Sequence, residues 1–465
     1  MILAQEARLT LKLAFPLVIG QVSQMLLGVA DTVMLGQVGV TELAVLTFAN
    51  SLFYLPFVFG IGVLTAISVF TANARGANQP AAGRASCRHG FQVATVLGAL
   101  LALLFCALTP FLDRFDQPAE VVARTPTFYL LIMSSLLPAL MAMALKSHAD
   151  AMDRPWPAFW IFLAGVVLNI FLNWILIYGN LGSPTLGLEG AGIATLVSRV
   201  AIVLGMLAWL IKSRDLADWV PQRWLTPPRR TEIRRFFGIG FPASIQMTCE
   251  VAAFSAAALL IGRFGETALA AHQIALMCAA TAFMVPLGLA MALGVRIGEA
   301  AGRQEPDRLR PIVLSGWLIA AFWALLSATV FLTLGDNLAS LFNEKPAVIS
   351  LAAAILVVVG LFQLFDSLQI TASALLRGLH DTRVPALIGF VAYWLCGIPI
   401  AIWLSSGWQW RAVGVWWGLA AGLAAACFTL CWRIWQKTDP LTFTPPAPDT
   451  GENSLNEDLS KRQLP

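Results

Sequence analysis

The sequence predicts an all-α integral membrane protein in which twelve transmembrane helices form two pseudo-symmetric six-helix bundles. The first observation is composition: 58% of the 465 residues are hydrophobic and 12% are charged, whereas a soluble globular protein carries about 25% charged residues. The second observation is that the apolar residues fall into twelve blocks. The third is an internal repeat that divides these blocks into two sets of six.

Each apolar block is long enough to cross a bilayer, which requires about 20 apolar residues. Many blocks contain Gly or Pro, which membrane helices tolerate better than soluble helices do. The predicted spans are 13–37, 44–72, 88–112, 123–148, 157–179, 189–212, 235–262, 267–296, 310–334, 347–375, 384–404 and 411–436.

The repeat appears when the chain is shifted by 226 residues. Glycines and prolines then coincide, as expected where helix packing and turns constrain the backbone. After a change of register by two residues, Asp153 pairs with Asp381 and Pro157 with Pro385. The matches in the first register include Pro16 with Pro242, Gly36 with Gly262, Gly62 with Gly288, Gly76 with Gly302 and Pro80 with Pro306.

The repeat predicts four segments. Residues 1–212 form an N-terminal six-helix lobe and residues 235–436 a C-terminal one. The polar, basic segment 213–234 joins them on the cytoplasmic surface, and the tail 437–465 is expected to be disordered because it is polar and rich in Pro.

The distribution of basic residues predicts that both termini are cytoplasmic. With that orientation, 24 of the 30 Lys and Arg residues lie on the cytoplasmic side, and Arg199 lies inside a span. This asymmetry follows the positive-inside rule. The five on the opposite side are Arg114, Arg124, Arg263, Lys345 and Arg411.

The sequence contains no pattern of an enzyme or a nucleotide-driven pump. The seven Cys and four His residues show no metal-ligand spacing, and no phosphate loop or nucleophile elbow is present. We therefore expect no cofactor and no nucleic-acid partner. Two parallel six-helix repeats are typical of a transporter that alternates access between its halves, with a channel as the alternative.

Three acids lie inside predicted spans, where a carboxylate at the bilayer centre costs about 2.5–3.5 kcal/mol and is expected to face a cavity or a partner. Asp31 shares one face of the first span with Gln24. Glu250 lies near the middle of the seventh span and Asp366 in the second half of the tenth. The repeat pairs none of them with another acid, which predicts that the two halves have different roles.

Further polar and aromatic residues accompany these acids at helical spacing. Gln246 precedes Glu250 by one turn and Phe254 follows it, and Gln363 shares the face of Asp366. Asn169 and Asn173 lie one turn apart in the fifth span.

A buried carboxylate of this kind can load and release a proton, or hold Na⁺ among oxygen ligands. Either event suits exchange against a cationic substrate. Aromatic residues such as Phe254 and Phe362 could bind flat organic cations through cation–π contacts, although packing is the commoner role of Phe. Hydrogen bonding between helices is the alternative role of the acids.

Three stretches together resemble the multidrug and toxic compound extrusion (MATE) family, and the resemblance covers nearly the whole chain except the tail. They are "LAFPLVIGQVSQMLLGVADTVMLGQVG", "LNIFLNWILIYG" followed by "GLEGAGIATLVSR", and "SALLRGLHDTRVP". Glu250 together with Asp366 resembles the bacterial NorM-type branch. The resemblance implies a V-shaped antiporter that exports organic cations in exchange for Na⁺ or H⁺.

The resemblance also implies site residues. Glu250 and Asp366 would form the cation site, with Na⁺ as a candidate metal ion, and Asp31 with Asn169 and Asn173 would form a polar cluster linked to protonation or drug exchange. Some Na⁺-coupled members carry Tyr one turn before the acid of the tenth span, where this chain has Phe362. That departure leaves the choice between Na⁺ and H⁺ open.

Two other classes of function predict different sequence features. A flippase for a lipid-linked oligosaccharide or another amphiphile would need basic residues in its cavity, whereas the interior charges here are acidic apart from Arg199. A scaffold or receptor would need neither the acids nor the repeat. The expectation is a monomer in a bacterial-type inner membrane, with membrane lipid and small organic cations as its partners.

Overall fold

Twelve long apolar helices make up most of the chain, as the sequence predicts. The structure is a computed structural model that describes residues 2–441 and 443, except for the side chains of residues 26 and 27, and no strand occurs within these residues. Helix is the expected state because a span in lipid must satisfy all its backbone hydrogen bonds internally. The helices are α1 (Ile2–Gly36), α2 (Val40–Gly76), α3 (Pro80–Cys106), α4 (Ala119–Ala151), α5 (Pro155–Tyr178), α6 (Gly187–Lys212), α7 (Arg230–Gly262), α8 (Glu266–Gly302), α9 (Pro306–Ser340), α10 (Pro346–Gly378), α11 (Arg383–Gly407) and α12 (Arg411–Lys437).

The helix boundaries reproduce the internal repeat. Helices α2 and α8 each have 37 residues, and their first and last residues are separated by the same shift of 226 residues. The turn that follows each of them has a left-handed residue at the equivalent position, Asn78 with φ 52° and Gln304 with φ 57°. Proline then begins both α3 and α9, where its missing N–H costs no hydrogen bond.

Three helices contain irregular turns, and the one in α9 is at Leu334, where φ is −118° and ψ is 15°. Helix α4 is interrupted at Ser135, between Ala119–Ser134 and Leu136–Ala151. Helix α11 widens into a π-helical turn at Val391–Gly397. Pro399 follows this turn, and a proline supplies no backbone N–H to the turn before it. π-Helical turns occur frequently at functional sites.

Contacts divide the described residues into two compact units. The N-terminal unit is Ile19–Ser244, and the C-terminal unit joins the chain up to Val18 with the segment that begins at Ile245. Each unit has its own apolar core. The division passes through α1 and α7. The limit that the repeat predicts at residue 235 also lies within α7, which begins at Arg230. Most of the tail 437–465, predicted to be disordered, lies outside the described residues.

Equivalent glycines support equivalent helix contacts in the two units. In the N-terminal unit, a Cβ atom on Gly62 would lie 2.3 Å from Cα of Ser244. In the C-terminal unit, a Cβ atom on Gly288 would lie 2.8 Å from Cα of Val18. Both pairs obey the shift of 226 residues. Close backbone approach at small residues is a general way in which membrane helices pack.

The segment that joins the repeats packs on α3 in the N-terminal unit. Its Arg214–Trp219 portion forms a 3₁₀ helix, and Nη1 of Arg84 donates to the carbonyl oxygen of Asp218 at 2.8 Å. Nε2 of Gln92 donates to the carbonyl oxygens of Trp224 and Thr226.

Candidate functional site

In the N-terminal unit, the buried acid Asp31 is linked by hydrogen bonds to the two asparagines of α5. Asp31 is 7% exposed, and both Asn169 and Asn173 are fully buried. Nδ2 of Asn173 donates to Oδ1 of Asp31 at 2.6 Å and lies 3.1 Å from Oδ1 of Asn169. The structure thus brings together three residues that are far apart in sequence, on α1 and α5.

Helix α6 completes this polar cluster with residues that the sequence analysis did not select. Nδ2 of Asn169 lies 3.4 Å from Oγ1 of Thr195, and Thr195 also hydrogen-bonds Asp31. One turn further along α6, Arg199 interacts electrostatically with Asp31. The sequence feature that could have indicated these two residues is their four-residue spacing, which places Thr195 and Arg199 on one helix face.

Arg199 is held by two neighbours besides Asp31. Its Nη1 donates to Oγ of Ser135 at 2.6 Å, at the interruption of α4. Its guanidinium carbon lies 4.5 Å from the ring centre of Phe53, within the range of a cation–π contact. The position of this cation is therefore fixed by α2 and α4 as well as by the acid.

Gln24 is not part of the hydrogen bonds around Asp31. Its side chain is half-buried, and its Nε2 atom is buried without a hydrogen-bond partner among the residues described. The polar cluster of the N-terminal unit consists of Asp31, Asn169, Asn173, Thr195 and Arg199.

The C-terminal unit contains the other two acids. Asp366 on α10 is 5% exposed, and Glu250 lies on α7. The two carboxylates interact electrostatically. The hydroxyl of Tyr393 donates to Oε1 of Glu250 at 3.0 Å, and Tyr393 also interacts electrostatically with Asp366.

Sequence reasoning missed Tyr393, which is 1% exposed and lies in the π-helical turn of α11. The chain has only four tyrosines, so a tyrosine within an apolar span was a weak signal. Arg377, three turns beyond Asp366 on α10, also interacts electrostatically with Glu250. The surroundings of the acid pair therefore include the hydroxyl of Tyr393 and the cation of Arg377.

The two glutamines beside the acids each donate one hydrogen bond. Nε2 of Gln246 donates to Oγ of Ser373, and Nε2 of Gln363 donates to the carbonyl oxygen of Ala279, both at 3.0 Å. The Oε1 atoms of both glutamines and Oγ of Ser367 are buried and have no hydrogen-bond partner among the described residues. Hard oxygen atoms of this type are suitable ligands for a cation such as Na⁺.

The two selected phenylalanines belong to an aromatic cluster with Trp416. The ring centres of Phe254 and Phe362 are 5.9 Å apart, and that of Phe362 is 5.8 Å from that of Trp416. Phe362 is 2% exposed and Trp416 is fully buried. Nε1 of Trp416 donates to Nδ1 of His272 at 3.2 Å. These aromatic rings belong to the apolar core of the C-terminal unit, and Phe254 and Phe362 lie on the helices that carry the two acids.

Both clusters combine carboxylates with hydrogen-bonding side chains inside an apolar bundle. Among the residues described, no group of three or more His, Cys, Asp and Glu side chains could hold a transition metal. Two carboxylates that interact inside an apolar bundle are stabilised when a proton or a small cation neutralises one of them, because like charges removed from water repel each other strongly. Twelve membrane-length helices in two repeats, with acid clusters in each unit, define a transporter of the two-repeat helical class.

Comparison with known proteins identifies the family. The MatE family model matches residues 16–175 and again residues 242–403, so its two starts are separated by the shift of the internal repeat. A probable multidrug resistance protein NorM of Burkholderia mallei is 35% identical over 445 residues, which cover 94% of each chain. The multidrug resistance protein MdtK of Yersinia pseudotuberculosis is 30% identical, with 94% of this chain and 97% of that one covered.

Solved structures support the same fold. The eukaryotic MATE transporter AtDTX14 superposes with a TM-score of 0.86 at 21% identity, covering 94% of this chain and 98% of that one. The Vibrio cholerae MATE transporter VcmN in its bent form gives a TM-score of 0.83 at 21% identity, covering 95% and 100%.

The chain belongs to the MatE family of multidrug efflux transporters. The resemblance drawn from the sequence is confirmed, and so are the twelve-helix fold and the prediction that the protein is a transporter rather than an enzyme. With its twelve apolar helices and its bacterial relatives, it is a multi-pass inner-membrane protein.

Proposed function

We propose that this transporter is an antiporter that exports small organic cations in exchange for Na⁺ or H⁺, by alternating access. The observation that carries the proposal is the pair of interacting carboxylates, Glu250 and Asp366, inside the C-terminal unit. The names of the relatives, multidrug resistance proteins, support small organic compounds as substrates.

The acid pair is suited to bind the coupling ion. Asp366 is buried and Glu250 is half-buried. Like charges withdrawn from water in this way are costly, and neutralising one of them by a proton or a bound Na⁺ removes the repulsion. The Tyr393 hydroxyl stabilises the charged form of Glu250 through its hydrogen bond. The buried oxygens of Gln246 and Gln363 offer additional ligands, so the residues fit Na⁺ as well as H⁺.

The Asp31 cluster is suited to a second exchange step. Its carboxylate is held by a short hydrogen bond from Asn173, and the Arg199 cation interacts with it. A positively charged substrate or a proton that reaches Asp31 would compete with this arrangement. Coupling then requires that occupancy of the two clusters alternate, which is the basis of antiport.

The remaining expectations belong to the same proposal. The excess of basic residues on one side supports cytoplasmic termini. We propose that the transporter works as a monomer surrounded by membrane lipid, without a cofactor.

A flux measurement in a defined system tests the proposal. The full-length protein in proteoliposomes is expected to move ethidium against its gradient only when an inward Na⁺ or H⁺ gradient is imposed, and the two gradients are compared separately. Ethidium movement that needs neither gradient would overturn the antiport mechanism. Ethidium binding without any flux would favour a receptor instead.

A further inference from the structure

A basic cavity in the N-terminal unit lies outside both acid clusters. Its volume is about 860 Å³, and it is bordered by the start of α3, the segment that joins the two repeats and the start of α7. Cavities of about 300–1,000 Å³ are the usual size of small-molecule sites. The charged lining residues are Arg84, Arg88, Arg223, Arg229, Arg235 and Glu232.

The single carboxylate in this lining already has partners. Oε2 of Glu232 lies 3.0 Å from Nε2 of His89 and accepts the backbone N–H of Arg229 at 3.2 Å. Among the lining residues that the structure describes, there are therefore five guanidinium groups and one carboxylate. The cavity has a strong excess of positive charge.

Arg88 supplies a hydrogen-bond donor that the described residues leave unsatisfied. Its Nη2 atom lies 3.3 Å from Nε2 of His89, while its Nε atom is buried and has no hydrogen-bond partner among the described part of the chain. A buried donor without a partner costs about 1–3 kcal/mol. The guanidinium of Arg88, which lines the cavity, is therefore not fully satisfied by its protein neighbours.

The backbone adds to the attraction for an anion. Pro80, Ala81 and Ala82 form the first turn of α3 and line the cavity. Pro80 has no N–H group, but the N–H groups of Ala81 and Ala82 have no acceptor within the helix, and the helix dipole favours negative charge there. The rings of Phe70 and Phe236 border the same cavity and offer apolar surface beside the charges.

We propose that this cavity binds a phosphate-bearing anion, with the arginines as its ligands. Arginine matches phosphate because its planar group can donate two parallel hydrogen bonds. The cavity lies on the side that the positive-inside rule predicts to be cytoplasmic, and basic pockets beside membrane helices bind anionic lipid headgroups. The phosphate could belong to a phospholipid headgroup or to a soluble phosphate compound, and the experiment separates these two sources.

The test titrates delipidated full-length protein in detergent with phosphatidylglycerol, phosphatidylcholine or pyrophosphate, and counts bound molecules by native mass spectrometry. The triple variant R88Q/R223Q/R235Q is expected to bind the anionic probe on the order of a hundredfold more weakly, since each basic residue contributes roughly equally to such binding. The single variant Arg223→Gln, at an exposed side chain, is expected to lose about fivefold and guards against a folding defect in the triple variant.

The matched control is R214Q/R230Q/R234Q, which removes the same charge from exposed arginines that do not line the cavity. Its binding is expected to equal that of the parent. Binding of phosphatidylglycerol over phosphatidylcholine assigns the site to a lipid, and binding of pyrophosphate without phosphatidylglycerol assigns it to a soluble phosphate compound. Equal losses in the control and the triple variant, or no binding of either phosphate probe, would overturn the proposal.

Discussion

Replacing Tyr393 by Phe removes a single hydroxyl group from the acid pair and leaves the shape of the side chain intact. That hydroxyl donates to Oε1 of Glu250 at 3.0 Å, and Tyr393 is 1% exposed. Water therefore has little access to replace the lost donor. Y393F isolates the contribution of one hydrogen bond to the ion-coupling step.

The size of the effect follows from the type of bond. A hydrogen bond to a charged group contributes about 1.5–3 kcal/mol. The ion-free, charged form of Glu250 is expected to lose this stabilisation, while the neutralised form loses less. Because 1.4 kcal/mol corresponds to a factor of ten, the equilibrium of ion release is expected to shift by about tenfold to a hundredfold.

The assay is gradient-driven ethidium transport in proteoliposomes, measured over a range of Na⁺ and H⁺ concentrations. The half-saturating concentration of the coupling ion is expected to change in Y393F. Tyr129→Phe is the matched control, because Tyr129 is also fully buried and donates to a backbone carbonyl, that of Phe105, at 2.8 Å. Both variants lose one buried hydrogen bond, but only one of these bonds reaches an acid.

Two results would refute this reasoning. The first is an unchanged ion dependence in Y393F. The second is an equal change in Y393F and Y129F, which would show that the effect comes from stability alone.

Three further predictions concern other contacts. Asn173→Leu removes the 2.6 Å donor of Asp31 and is expected to reduce ethidium transport about tenfold, so parental transport rates in proteoliposomes would contradict the role of this cluster. Glu6→Gln leaves the nearly buried Arg296 without its main counter-charge and is expected to cost about 3–5 kcal/mol, which a thermal unfolding scan in detergent would report as a lower midpoint; an unchanged midpoint speaks against it. Gly288→Val adds a side chain at a position where even a Cβ atom would lie 2.8 Å from Cα of Val18. The free energy of unfolding is expected to fall by about 1–3 kcal/mol. An unchanged midpoint in the same scan would show that the two helices can move apart at no cost.

The sequence predicts the helices well because the membrane restricts the choices. A long apolar segment in lipid must be helical, so the block pattern predicts all twelve helices. Gly and Pro occur at the same turns in both repeats. The left-handed residues Asn78 and Gln304 lie at equivalent positions of one such turn, which confirms that the two turns have the same backbone conformation. The division of contacts within α1 and α7 could not be predicted, because it depends on tertiary packing rather than on a break in the chain.

The candidate site was predictable only in part. The acids stand out because charge is rare inside apolar spans, and the four-residue spacing of Asn169 and Asn173 placed them on one face. Their partners were not predictable in the same way. Thr195 and Tyr393 reach the acids through the rotation and packing of α6 and α11, and the π-helical turn around Tyr393 alters the helical spacing on which such predictions depend.

The central claim, that Asp31, Glu250 and Asp366 couple ion entry to substrate export, is tested most directly by ethidium efflux from proteoliposomes containing D31N, E250Q or D366N. The account predicts that each variant loses gradient-driven efflux, while the control D153N, at a half-exposed acid, transports like the parent. Efflux at the parental rate in all three acid variants would contradict the account.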